Sequence, residues 1–167
     1  MGAGKTAIGS ALAARIGVPF LDSDAEIVAA SNMSIAEIFE RDGEPFFRDK
    51  ESQVIERLLG GPPVVLSTGG GAYLLERNRR AITEAGVAVW LDADIDLLWA
   101  RVRHKTTRPL LQTADPKATL AEIHRERRPA YAQADLRVEA QAGWSIERMR
   151  DQVIEELLTR PDVLRLN

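Results

Sequence analysis

The feature that most constrains this chain is its first line, MGAGKTAIGS, where Gly4, Lys5 and Thr6 close a glycine-rich loop that runs straight into a helix. The full phosphate-loop pattern, G-x-x-x-x-G-K-[ST], has eight positions and follows a buried strand; the sequence holds its last six. Glycines there let backbone N–H groups approach phosphate oxygens, and the helix turns its positive end toward the anion. In that reading Lys5 neutralises a transferring phosphate and the Thr6 hydroxyl coordinates Mg²⁺. A glycine turn capping a helix would spell the same letters, so the rest of the chain has to decide. The incomplete pattern also carries an expectation of its own: a natural start about ten residues earlier, counted as a strand plus the first loop glycine, with Met1 internal.

Hydrophobic periodicity organises the remaining sequence. Ile8, Leu12 and Ile16 recur at helical spacing until Gly17 and Pro19 stop the helix. PFLD reads as a short strand ending at Asp22, DAEIVAAS as a helix, and SIAEIFERDG as another, opened by a Ser34–Glu37 capping box and closed by Gly43. A longer helix is expected from Pro45 to Leu59, then strand and glycine loop in PPVVLSTGGG, then a strand in GVAVWLDAD leading into a helix. The stretch RHKTTRPLLQTADP is polar, basic and broken by prolines. A helix to about Gln133 comes next, in which Pro129 is disruptive, then the strand LRVE and a last helix from Ser145 to Leu158. Apolar strands alternating with helices indicate a parallel sheet covered on both faces. Residues 1–160 are expected to form one α/β domain with a mobile lid over about 103–116 and a tail at 161–167.

Composition removes several function classes. With 167 residues, 45% hydrophobic and 28% charged, the chain is ordinary for a globular domain. Its net charge of -3 gives no general basic surface, so no nucleic-acid role is expected. The absence of cysteine excludes disulfides, thiolate nucleophiles and zinc–thiolate sites. No apolar run reaches membrane-spanning length, and a cytoplasmic protein with no membrane partner is expected.

Several short stretches could carry chemistry. LDSD brings Asp22 and Asp24 to a strand end, where ligands collect in open α/β sheets. The two are expected to serve different partners, one holding Mg²⁺ and one accepting from a substrate hydroxyl; the plainer reading is that Asp24 caps the next helix. In GEPFFRDKE, Arg48 lies one turn after Glu44 and near Glu51, which suits either a solvated ion-paired helix or a guanidinium fork for a carboxylate. Three glycines in STGGG exceed what a turn requires and suggest backbone lying against a ligand, against the alternative of a flexible loop. Arg101, Arg103, Lys105 and Arg108 in or beside the basic loop could close over a nucleotide. His104 and His124 read as solvated; Trp90 and Trp99 fit core positions, and Trp144 a cap on the last helix.

In this order, GAGKT, LDSD, GEPFFR, TGGG, RPLL and RRPAY, the chain resembles the shikimate kinases from residue 1 to about residue 158. The resemblance implies a P-loop NTPase fold of the nucleoside-monophosphate-kinase type: three α/β/α layers, a five-stranded parallel sheet and a lid. It implies a cytoplasmic, monomeric enzyme that passes the γ-phosphate of ATP to the 3-hydroxyl of shikimate, on the route to chorismate and the aromatic amino acids. Carried over by position, Gly2, Ala3, Gly4, Lys5, Thr6 and Ala7 wrap the phosphates. Thr6 and Asp22 attend Mg²⁺, and Asp24 binds the acceptor hydroxyl and helps take its proton. Arg48 and Arg127 grip the shikimate carboxylate, with Gly70 and Gly71 beneath the substrate; Arg127 is chosen over Arg128 because the family pattern reads R-x-P-x-Y. Arg108 is the lid arginine reaching the ATP phosphates, Arg101 lies near adenine, and Gln141 with Ala142 supplies a further adenine contact.

The chain departs from the family at its front end. The family's first strand lies mid-sheet and precedes the loop, and no residues here supply it, which predicts unpaired neighbouring edges and an opened core. The alternatives are a gluconate-type kinase of the same fold and a non-catalytic shikimate-binding homologue. A nucleotide acceptor would leave the arginine pair idle.

Overall fold

A computed structural model describes residues 2–105 and 109–165, with Pro109 known by its backbone only. Helix α1 (Lys5–Ile16) grows directly out of the glycine loop, in which Gly2 and Gly4 hold left-handed φ values of 75° and 83° that favour glycine. A left-handed Gly17 ends it. Strand β1 (Phe20–Asp22) leads into α2 (Ser23–Ser31), and α3 (Ile35–Asp42) begins with the expected Ser34–Glu37 capping box. Helix α4 (Glu44–Leu59), with Pro45 in its first turn, precedes β2 (Val65–Ser67). A 3₁₀ turn (Ala72–Leu74) and α5 (Glu76–Ala85) come after it. Next are β3 (Val89–Asp92), α6 (Ile95–Val102), a short 3₁₀ turn (Pro109–Leu111), α7 (Pro116–Tyr131), β4 (Leu136–Glu139) and α8 (Ile146–Leu157). Among the described residues no helix is long and apolar enough to cross a membrane.

Two details differ from sequence expectation. Helix α5, which no sequence expectation covers, is a charge-rich run that turns Asn78 and Ile82, one helical turn apart, toward the core. Helix α7 runs through Pro129 and ends two residues later. Proline removes its own N–H bond and crowds the carbonyl four residues back, and with two helical residues beyond it there is little helix left to disrupt.

The strands form two parallel pairs, β1 with β2 (Phe20 opposite Val65) and β3 with β4 (Val89 opposite Leu136). The parallel expectation therefore holds; among the described residues four strands stand in two pairs, where the resemblance implies five in one sheet with the first expected to be missing here. Among the described residues β2 and β3 each have one strand partner, and between them lies a cavity of about 680 Å³. Val65 and Leu66 wall it on one side and Val89 and Leu91 on the other; Ile8 and Val153 cover one face, Tyr73 and Ile82 the other. Ala3, at the start of the chain, lines the same space. The largest core cluster joins α1, α6, α7, β4 and α8 through Leu12, Val102, Leu120, Val138 and Met149. Smaller clusters tie α4 to α5 through Ile55 and Ile82, and α2 and α3 to α4 through Ile27, Ile38 and Phe47.

Candidate active site

The site is built on the carboxyl ends of the strands, around the glycine loop after β2. Lys5, in the first turn of α1, donates from Nζ to the Thr68 carbonyl at 2.8 Å, so the phosphate loop and the second glycine loop share a contact. From there the chain passes Gly69, Gly70 and Gly71, none of which holds a positive φ. Backbone conformation does not call for glycine here; the missing side chains leave room for the ends of neighbouring ones. A β-carbon on Gly69 would stand 3.1 Å from Asp24 Oδ1 and 3.3 Å from Glu51 Oε2; on Gly70 it would stand 2.6 Å from Arg127 Nη1; on Gly71 it would overlap the Arg48 guanidinium, 2.7 Å from Cζ. The backbone of this loop is thus the floor onto which two carboxylates and two guanidiniums descend.

The two aspartates of LDSD divide their work differently from the expectation. Asp22 caps α2, its Oδ1 accepting from the Ala25 amide at 3.0 Å, while Asp24 already lies in the helix's first turn. Residues two apart on a strand share a face, so it is the change from strand to helix after Asp22 that separates them, and the capping role expected for Asp24 belongs to Asp22. Burial pushes the Asp24 carboxyl above its ordinary range and neighbouring Asp22 adds to the rise, while Lys5 and Arg48 oppose it.

Arg48 leaves α4 half-buried, and the helix it leaves is not simply solvated. Its Nη1 donates to Glu51 Oε1 at 2.8 Å, and that glutamate side chain is 1% exposed; the contact to Glu44, at 3.4 Å, is with a largely exposed partner. Burial raises the Glu51 carboxyl and Arg48 pulls it down, with Asp24 adding to the rise. Glu51 is thus an anchor that orients Arg48, a role that i,i+3 spacing leaves indistinguishable from a surface ion pair.

Adjacent arginines of α7 take separate paths. Arg127 lies against Gly70, whereas Arg128 is held on buried Asp92 by two hydrogen bonds of 2.8 and 3.0 Å. Arg137 donates to the same carboxylate at 2.8 Å, and both guanidiniums stack on Trp90, centred 4.9 and 5.2 Å from its ring. Trp90 is therefore clasped by cations rather than sunk in the core.

Arg101 donates from Nη1 to the Gly2 carbonyl at 3.1 Å, bracing the phosphate loop itself. Gly2 packs so close to α6 that a β-carbon would meet Val102 Cγ1 at 2.8 Å. Gln141 and Ala142 sit exposed in the turn after β4. Arg108 lies outside the described residues. His124 is half-buried with Nε2 3.1 Å from the Ala93 carbonyl, not free in solvent as its charged surroundings suggest, while His104 is exposed beside Arg103. Trp144 packs on the main core cluster and Ser145 caps α8 in its place.

The glycine loop before α1 on one side of residues 68–71, with acid and guanidinium groups on the other, is the arrangement of a P-loop α/β protein. Comparison with known proteins makes this specific. The family model described as shikimate kinase matches residues 1–158. A shikimate kinase of Ruegeria pomeroyi is 66% identical over all of this chain, which covers 86% of that relative. One from Cereibacter sphaeroides is 65% identical over 98% of this chain and 82% of its own length. Among solved structures, shikimate kinase from Acinetobacter baumannii in complex with shikimate aligns over 99% of this chain and 91% of its own with a TM-score of 0.84 at 35% identity. Shikimate kinase from Bacteroides thetaiotaomicron aligns over 94% and 93% with a TM-score of 0.86 at 33% identity. The chain belongs to the shikimate kinase family.

Proposed function

We propose that this chain transfers the γ-phosphoryl group of ATP to the 3-hydroxyl of shikimate, giving shikimate 3-phosphate and ADP. The observation that carries the reading is the meeting of both halves of that chemistry on one loop: Lys5 on the Thr68 carbonyl, the Asp24 and Glu51 carboxylates over Gly69, Arg127 over Gly70 and Arg48 over Gly71. Shikimate is a carboxylate with three hydroxyls, and two planar guanidiniums beside an acid are the donor set that orients such a molecule. Arg48 and Arg127 receive the carboxylate, and Asp24 accepts a hydrogen bond from the attacking hydroxyl. The raised affinity of Asp24 for a proton suits a group that takes one as the hydroxyl becomes a phosphate ester.

On the donor side the loop amides from Gly2 to Ala7 surround the phosphates, Lys5 lies on the transferring group, and Arg101 steadies the loop through Gly2. Arg108, outside the described residues, is assigned to the ATP phosphates by its place in the motif, and Gln141 to adenine. The oxygen donors of Thr6 and Asp22 fit a hard, hydrated divalent ion, and Asp22 keeps Oδ2 available while Oδ1 caps α2. When bound, Mg²⁺ supplies charge neutralisation at the phosphate oxygens. Catalysis then rests on positioning and electrostatics, with no covalent intermediate on the protein. The protein works as a cytoplasmic monomer on this reading, a single domain over residues 1–160; the lid assigned to about 103–116 includes residues 106–108, which lie outside the described residues.

ADP release with ATP, Mg²⁺ and shikimate tests the reaction, with gluconate as the control acceptor. Shikimate-dependent release is expected. Release with gluconate but not shikimate overturns the acceptor, and release with neither acceptor overturns the reading.

A further inference from the structure

Tyr131 closes α7 one turn after Arg127, so both side chains leave the same face of the helix. Its hydroxyl donates to the Gly70 carbonyl at 2.5 Å. A methyl at Gly70 would stand 2.6 Å from Arg127 Nη1 and 3.4 Å from the tyrosine oxygen, so carbonyl, hydroxyl and guanidinium share one small volume. A tyrosine hydroxyl has a single proton; with that proton on Gly70, its lone pairs remain to accept from the Arg127 guanidinium that lies against the same glycine. Burial raises the Tyr131 hydroxyl's affinity for its proton, which keeps the group neutral and its donor in place. The ring is braced by Trp90, 6.3 Å away between centroids, which is in turn held by Arg128 and Arg137. Ring packing alone would be served as well by phenylalanine. The hydroxyl is what joins the loop to the arginine.

We propose that Tyr131 is a positioning residue for the acceptor: its hydroxyl fixes the Gly70 backbone and aims the Arg127 guanidinium at the substrate carboxylate. Tyr131 does not touch the reacting atoms; it acts through Arg127. The proposal rests on the assignment of Arg127 to the shikimate carboxylate, and its test separates the two.

The test is Tyr131→Phe in the full chain, read three ways. Steady-state kinetics should show the KM for shikimate rising about 5- to 20-fold, with the KM for ATP within about twofold of the parent. In an Arg127→Ala background the same substitution should change the shikimate KM less than about twofold, because its effect runs through that side chain. Side-chain NMR of ¹⁵N-arginine protein should show the Arg127 guanidinium slow to rotate in the parent and freely rotating in Tyr131→Phe. An unchanged shikimate KM in an active variant, equal rises in both KM values, or full additivity with Arg127→Ala would overturn the proposal. So would identical Arg127 rotation in parent and variant, a result that stands whether or not the chain phosphorylates shikimate. Restrained rotation lost in Tyr131→Phe, in a chain that ignores shikimate, would support the positioning role and reject the substrate.

Discussion

Gly70 and Gly71 are where single atoms decide the site. A methyl at Gly71 meets the Arg48 guanidinium and one at Gly70 meets that of Arg127, and neither position has a backbone angle that alanine cannot adopt. Gly70→Ala and Gly71→Ala should therefore fold with nearly parental thermal midpoints while raising the KM for shikimate on the order of tenfold or more, since each displaces a charge-assisted contact. A large loss of stability with parental kinetics would show the glycines to be structural. Arg48→Lys should recover little of the loss in Arg48→Ala, because an ammonium cannot replace a two-pronged fork; full recovery in shikimate kinetics would argue against that geometry. Asp24→Asn carries a signed prediction. The folded carboxyl binds its proton more tightly than its ordinary 3.8, so ionising it opposes folding, and the penalty grows as pH rises from about 3.8 and is complete above the folded value. The variant should thus lose turnover yet melt higher than the parent at pH 7, with the gain vanishing toward pH 3.8; a lower midpoint at pH 7 would contradict the sign. At this scale the motif letters were legible: Lys5, Asp24, Arg48, Gly70, Gly71 and Arg127 stand around one loop. Glu51, Tyr131 and the Asp92 clasp on Arg128 were not, because burial and contacts across 36 to 61 residues of sequence leave no spacing to read.

Among the elements, those with strong periodicity or capping chemistry could be read directly: α1 from its apolar stripe, α3 from its capping box, and β3 from a continuous apolar run. Helix α5 escaped because its run is charge-rich and its buried face sets polar Asn78 beside Ile82; it docks on Ile55, and Arg77 reaches Glu56 at 2.6 Å and Asp49 at 3.2 Å. The pairing of strands into two sheets is a property of neighbours, and the cavity between β2 and β3 makes it testable. Ala3 stands at that space, so an added N-terminal segment has a short path into it. A chain lengthened there by about eight apolar, strand-forming residues should melt higher by on the order of 10 °C, as several side chains become buried and two edges gain a partner. An equally long Gly/Ser extension should leave the midpoint unchanged. Equal shifts from both extensions would mean that the cavity does not accept a strand.

Across the whole molecule, the two strand pairs contribute different halves of the site. The β1–β2 pair brings Asp22, Asp24 and the glycine loop, while β3 and α7 bring Asp92, Arg127 and Tyr131. Arg127 and Tyr131 crossing to Gly70 are therefore contacts between halves as well as contacts for a ligand, and occupancy of the pocket should tighten the molecule. The thermal midpoint should rise with shikimate in a saturable way and should not rise with gluconate; equal stabilisation by both would count against the carboxylate-and-hydroxyl geometry described here. The central claim is narrower still, that the phosphoryl group arrives on one particular hydroxyl. Phosphorus-coupled proton NMR of the product from ATP, Mg²⁺ and shikimate reads that position directly. A single phosphate coupled to the proton on carbon 3 is the result expected, and a phosphate on another hydroxyl, or none, would contradict the account.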